Sequence, residues 1–215
     1  DTETADLVAF PNKCDVIGVG SYDANVSPGI TGNHVPVNAG NYGTRFFNIF
    51  FLAPAKASPI VTLASSSSGI QFINCTFATT KTTTIGIQAT ASPFLKVLGC
   101  DFRGAFVTSY ITFGAGEAGR TIIDGNIMTD SAAAGIVVNS STTTSWASII
   151  SNNFLQATAL VIDDNSDLFY IYNNHIVELT DDYATALDVN AARCVGNTIT
   201  TPNVASPYPV LDTTT

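Results

Sequence analysis

The feature that most constrains this chain is an internal repeat. Six segments share the pattern apolar-x-x-(Asn/Cys)-x-apolar: Phe72–Phe77, Val97–Phe102, Ile123–Met128, Ile149–Phe154, Ile171–Ile176 and Cys194–Ile199. Phe47–Leu52 fits with Phe50 in the fourth slot, so that slot falls at 50, 75, 100, 126, 152, 174 and 197. A second pattern, apolar-x-apolar, runs between these. It reads Val35-Pro-Val37, Val61-Thr-Leu63, Ile85-Gly-Ile87, Ile111-Thr-Phe113, Ile136-Val-Val138, Leu160-Val-Ile162 and Leu187-Asp-Val189. Period-two patterning means strands. Recurrence every 22–27 residues means a solenoid, because one such unit cannot bury its own apolar face. The connections are Ser-, Thr-, Gly- and Asn-rich, as in Ser65–Ser68 and Ser140–Ser145, and no stretch sustains a helical period. Stacking at about 4.8 Å per turn puts Val61, Ile85, Ile111, Ile136, Leu160 and Leu187 in one internal column. Seven or eight turns give a rod of about 35 Å.

On these residues the chain resembles the single-stranded right-handed parallel β-helix, or pectin-lyase-like, superfamily over about residues 7–200. The expected fold is all-β, a single-stranded right-handed parallel β-helix of about seven to eight turns. It occupies residues 1–200, with 21–34 as an insertion loop and 201–215 as an extended Pro-rich C-terminal tail. Asn in the fourth slot suits a tight corner, since it tolerates the left-handed backbone conformation. The resemblance implies that Asn126, Asn152, Asn174 and Asn197 form an internal ladder, each amide hydrogen-bonded to the next turn. Cys75 and Cys100 fall in the same column. They read as buried thiols packing as small hydrophobes. A disulfide between them is the less favoured alternative, because stacked Cβ vectors run parallel. With Cys14 and Cys194 they make no CxxC pair, so zinc is not expected.

Composition excludes several function classes. At 46% hydrophobic and 12% charged the chain is not a disordered one. No run of 18 apolar residues offers a membrane helix. Eight basic residues against 17 acidic ones argue against nucleic-acid binding. Residues 1–120 carry seven acids and seven bases, whereas 121–215 carry ten acids and only Arg193. The chain begins at Asp1 with no signal-peptide pattern, and reads as a processed product or a segment of something longer.

An enzyme of this fold would carry its catalytic groups on outward strand positions. The apolar-x-apolar strands offer one hydrolase-like grouping, Asp163, Asp164 and Asp188, with the first and last about one turn apart. The polygalacturonase-like set of Asn-Thr-Asp, Asp-Asp, Gly-His-Gly and Arg-x-Lys is not assembled. Asp163-x-Asn165-x-Asp167 copies the opening of a calcium loop, but the EF-hand positions for Gly and Glu hold Leu168 and Asn174. It offers at most a weak Ca²⁺ site. His175 is expected to face outward, in line with Thr76, Asp101, Asn153 and Thr198. The 21–34 segment, with Tyr22 and His34, reads as an insertion loop or a binding loop.

Apolar residues in outward columns point another way. Ile60, Tyr110, Val137 and Val161 are expected to face outward. A further column reads Asn48, Ile73, Leu98, Asp124, Ile150, Tyr172 and Val195. Exposed apolar columns mark an interface. Two readings therefore stand. One is a structural or receptor- or glycan-facing component of a homo-oligomeric assembly, a trimer by the resemblance to phage tailspikes and fibres, at a virion surface or outside the cell. The other is a polysaccharide-degrading hydrolase or lyase.

Overall fold

A computed structural model describes residues 12–19, 29–31, 42–53, 59–63, 67–79, 83–90, 92–104, 106–114, 119–129, 132–138, 148–158, 161–164, 169–179, 187–189, 193–201 and 204–209. The chain is all-β, a parallel β-solenoid with no helix among the described residues. Its strands form three sheets. The first holds eight parallel strands, Asp15–Ile17, Arg45–Phe47, Gln71–Ile73, Lys96–Leu98, Ile122–Asp124, Ser148–Ser151, Phe169–Tyr172 and Arg193–Val195. The second runs from Gly29–Thr31 and Phe50–Ala53 through His175–Glu178 and Thr198–Thr201. The third runs from Val61–Leu63 to Leu187–Val189.

The corner between first and second sheets repeats at every turn. Its leading residue is Asn48, Asn74, Gly99, Gly125, Asn152, Asn173 or Gly196, all at φ between 52° and 68°. Only Gly and Asn enter that region at little cost. The residue that follows turns inward: Ile49, Cys75, Cys100, Asn126, Asn153, Asn174 and Asn197 are all buried. The left-handed position thus precedes the fourth slot instead of occupying it. Two members of the expected slot also move by one residue. Ile49 replaces Phe50, and Asn153 replaces Asn152, which is an exposed left-handed corner. Strand pairing sets this frame, because Ile123 faces Ile150 and not Ile149.

The core is made of stacked columns. Phe46, Phe72, Val97, Ile123, Ile150 and Ile171 follow one another on the first sheet, all buried. Phe51, Phe77, Phe102, Met128, Leu155 and Ile176 do so on the second, and are likewise buried. The N-terminal turns are aromatic inside. Phe46 stacks on Phe72 with centroids 5.2 Å apart, and Phe77 on Phe102 at 4.7 Å. Phe51 meets Phe72 edge-on at 5.7 Å. Each buried ring contributes about 1.5–3 kcal/mol from burial, and well-placed ring pairs about 0.5–1.5 kcal/mol more.

Two segments depart from expectation. Residues 29–31, inside the expected insertion loop, form a strand that pairs with Phe50–Ala53; the rest of 21–34 lies outside the described residues. Val204–Pro209, in the expected tail, turns back and pairs antiparallel with Thr198–Thr201. It covers an edge that would otherwise be an open template for strand addition.

Candidate functional site

The inward corner residues form the ladder that gives the solenoid its polar spine. Asn126 Nδ2 donates to Val97 O one turn back at 3.0 Å and to Asn153 Oδ1 one turn on at 2.8 Å. Asn153 repeats this toward Ile123 O and Asn174 Oδ1, and Asn174 toward Ile150 O and Asn197 Oδ1. Each Oδ1 also accepts the backbone N–H of the preceding corner, from Cys100 N–H to Asn126 through Asn174 N–H to Asn197. Cys75 and Cys100 continue the same logic with sulfur. Their thiols lie 3.4 Å from Phe46 O and 3.5 Å from Phe72 O, the carbonyls equivalent to those used by the asparagines. All four cysteines are free. Burial first, and then the neighbouring Cys75, push the Cys100 thiol well above its ordinary range. The Cys75 and Cys100 thiols are both buried.

The third sheet carries the acids. Strand register aligns Thr62, Gln88, Thr112, Val137, Asp163 and Asp188 in one column. The internal column is accordingly Val61, Ile87, Ile111, Ile136, Ile162 and Leu187. Ile87 and Ile162 replace Ile85 and Leu160. That two-residue slip preserves the in/out phase but brings Asp163 directly beside Asp188, one interstrand spacing apart, about 4.8 Å between backbones. The signal was in the sequence, since 163 and 188 differ by one repeat length. Asp164 falls instead in line with Val138 and Val189, at the register position of the buried Leu63, Ala89 and Phe113. The register therefore joins two of the three acids. Asn165 and Asp167, named for a Ca²⁺ site with Asp163, lie outside the described residues. Among the described residues no group of three or more His, Cys, Asp or Glu side chains converges as a metal site.

Three of the four expected interface residues are core. Ile60, Tyr110 and Val161 are fully buried. Ile60 and Val161 stand just before the strands Val61–Leu63 and Ile162–Asp164, and Tyr110 lies within Phe106–Phe113; at each, alternation fails and consecutive residues are buried. At Tyr110 the pairing register shifts between Phe106 and Ser109. Tyr110 packs its ring on Phe102 and Phe106 and donates its hydroxyl to Gln156 O at 2.8 Å. Val137 is half-buried in the Thr62 column.

The second sheet's outer surface carries His175, exposed as expected. Its column is Thr76, Asp101, Ile127, Phe154, His175 and Thr198, so Phe154 takes the place expected for Asn153. The His175 ring lies 5.2 Å from that of Phe154, and its Nε2 is 3.4 Å from Thr200 Oγ1.

The first sheet has the apolar outer surface. One outward column reads Ile17, Phe47, Ile73, Leu98, Asp124, Ser151, Tyr172 and Val195. Phe47 and Ser151 stand where Asn48 and Ile150 were expected. Beside it runs Asp15, Arg45, Gln71, Lys96, Ile122, Ile149, Tyr170 and Arg193. Ile17 is 59% exposed, Val195 65% and Tyr170 36%. Phe47, Ile73, Leu98, Ile122, Ile149 and Tyr172 are half-buried. Compared with family models, with curated proteins and with solved structures, the chain matches none.

Proposed function

We propose that this chain is a structural, partner-facing β-solenoid of a larger homo-oligomeric assembly, a virion spike, fibre or decoration protein of the pectin-lyase-like fold type. The observation that carries the reading is the outward column Ile17, Phe47, Ile73 and Leu98 on four consecutive strands. A lone rod has no reason to keep such a strip in water, whereas a rod packed along its length hides it. The low charge of the chain, 12%, suits that role. The continuous internal ladder suits a rigid scaffold. Native mass spectrometry and sedimentation equilibrium of the chain test the reading. A discrete oligomer at micromolar concentration is expected, and a monomer throughout overturns it.

One observation favours a second reading, a polysaccharide-degrading enzyme. Asp163 and Asp188 are register partners on neighbouring strands, and retaining glycosidases work with two carboxyls roughly 5–5.5 Å apart. Release of reducing ends from a panel of neutral and acidic polysaccharides, abolished by Asp188→Asn, would establish it.

A further inference from the structure

We infer that two copies of this chain pair face to face through the outer surface of the first sheet, side by side and pointing the same way, with Lys96 of each copy against Asp124 of the other. This rests on the assembly reading above and names its contact surface.

The surface is eight strands long and two outward columns wide, and its middle carries just two charged positions. Lys96 lies in one column on the fourth strand, and Asp124 in the other column on the fifth. Above them stand Gln71, Ile73 and Phe47, and below them Ile122, Ile149 and Ser151. Lys96 and Asp124 are therefore diagonal neighbours across the centre. They form no salt bridge with one another among the described residues. Asp124 accepts from Ser151 Oγ at 2.6 Å and Asn152 Nδ2 at 2.8 Å, both through Oδ1, which leaves Oδ2 for another donor.

A charge of each sign placed on a diagonal makes the surface complementary to itself. A two-fold axis lying between the copies and parallel to the solenoid lays each column over the other column of the partner, strand against equivalent strand. Lys96 then faces the position of Leu98, one interstrand step, about 4.8 Å, from the partner's Asp124. The like charges are two residues apart along a strand, about 6.7 Å. Opposite charges are thus the nearest neighbours. An axis parallel to the strands, midway between the Lys96 and Asp124 strands, reverses this, setting the two lysines one step apart, so the charges select the arrangement with the solenoids parallel. The same axis lays Arg45 over the partner's Phe47 and Tyr170 over the partner's Tyr172. Both pairings suit cation–π or aromatic contact. The contact is isologous and closes after two copies.

The test is charge exchange in the full chain. Lys96→Glu and Asp124→Lys are each expected to weaken self-association at least tenfold while retaining the β-type circular dichroism. An equimolar mixture of the two variants is expected to recover association to within about threefold of the starting chain, as a heterodimer. Leu98→Asp, which adds charge without a partner, is expected to weaken association and not to be rescued by either. An oligomer that forms equally well in every variant overturns this surface and leaves the assembly reading standing. A monomeric starting chain overturns both. Disruption by the single variants without rescue on mixing overturns the Lys96–Asp124 pairing.

Discussion

Asn126 and Asn153 are locked by a shared oxygen: Asn153 Oδ1 accepts the side-chain amide of Asn126 at 2.8 Å and its backbone N–H at 2.9 Å. Removing that oxygen orphans two buried donors at once. Asn153→Ala is expected to cost about 2–4 kcal/mol, the sum of a lost buried pair and its unmet partners. Asn152→Gly, one residue earlier, is expected to cost little, because Asn152 is an exposed corner at φ 54° that glycine adopts freely. Urea denaturation of the two variants measures the contrast. Equal losses would contradict the assignment of the ladder to Asn153.

Thr121 and Ser148 divide a polar corner unequally. The Thr121 N–H donates to Ser148 Oγ at 3.0 Å, while Thr121 Oγ1 is buried with no hydrogen-bond partner among the described residues. Thr121→Val keeps the shape and removes the unmet hydroxyl, so stability is expected to stay level or rise by up to about 1 kcal/mol. Ser148→Ala leaves the Thr121 N–H buried without its acceptor and is expected to cost about 1–3 kcal/mol. Thermal denaturation distinguishes the two.

Tyr110 braces turns that are not adjacent, since its hydroxyl reaches Gln156 O from 46 residues away. Tyr110→Phe retains the ring contacts with Phe102 and Phe106 and loses this bond, at an expected cost of about 1 kcal/mol. Tyr110→Ala is expected to cost about 3–5 kcal/mol. Were Tyr110 an outward interface residue, neither change would reduce the stability of the isolated chain.

Alkaline pH should expose the buried thiols. The Cys100 thiol is held above its ordinary value of 9.0, first by burial and then by Cys75. Its contribution is fully present below about pH 9, where both states keep the proton. It is lost as pH rises above 9, because the unfolded chain ionises there and the native one does not. The slope is at most about 1.4 kcal/mol per pH unit for one such thiol. Urea melts between pH 7 and 10.5 should show this decline, and Cys100→Ala should flatten it. A native Cys14→Ser variant, which lacks the one partly exposed thiol, that still reacts at once with a thiol reagent at pH 8 would contradict the burial.

The repeat made the fold legible from the sequence, and the errors lie where the repeat fits in two frames. In Ser148-Ile-Ile-Ser-Asn-Asn153 two apolar residues precede two asparagines, so the motif fits equally well one residue either way. Only the pairing of Ile123 with Ile150 decides. At Ile85-Gly-Ile87 and Leu160-Val-Ile162 a slip of two residues costs nothing in phase, so the apolar pattern alone puts Asp163 one column away from Asp188, while their spacing of one repeat length points to the pairing the register shows. Ile60, Tyr110 and Val161 were misplaced for another reason. Period-two alternation fails at the bend before a strand, as at Ile60 and Val161, and beside a register shift within one, as at Tyr110. The outward column through Ile73, Leu98 and Asp124 was readable because its strands are regular and evenly spaced.

The ladder changes chemistry along its length. At Cys75 and Cys100 the spine is thiol and the two core columns beside it carry stacked phenylalanines; from Asn126 to Asn197 the spine is amide and the same two columns hold Ile, Met and Leu. Each turn touches only its neighbours, so the rod behaves as two unlike springs joined in series. The joint lies between Cys100 and Asn126, where Asn126 Oδ1 accepts the Cys100 N–H at 2.8 Å and Asn126 Nδ2 donates back to Val97 O at 3.0 Å, without the amide-to-amide bond found farther on. Across that plane the rod changes what binds one turn to the next beyond the strand ladder: contact between rings on one side, an aligned row of amide dipoles on the other.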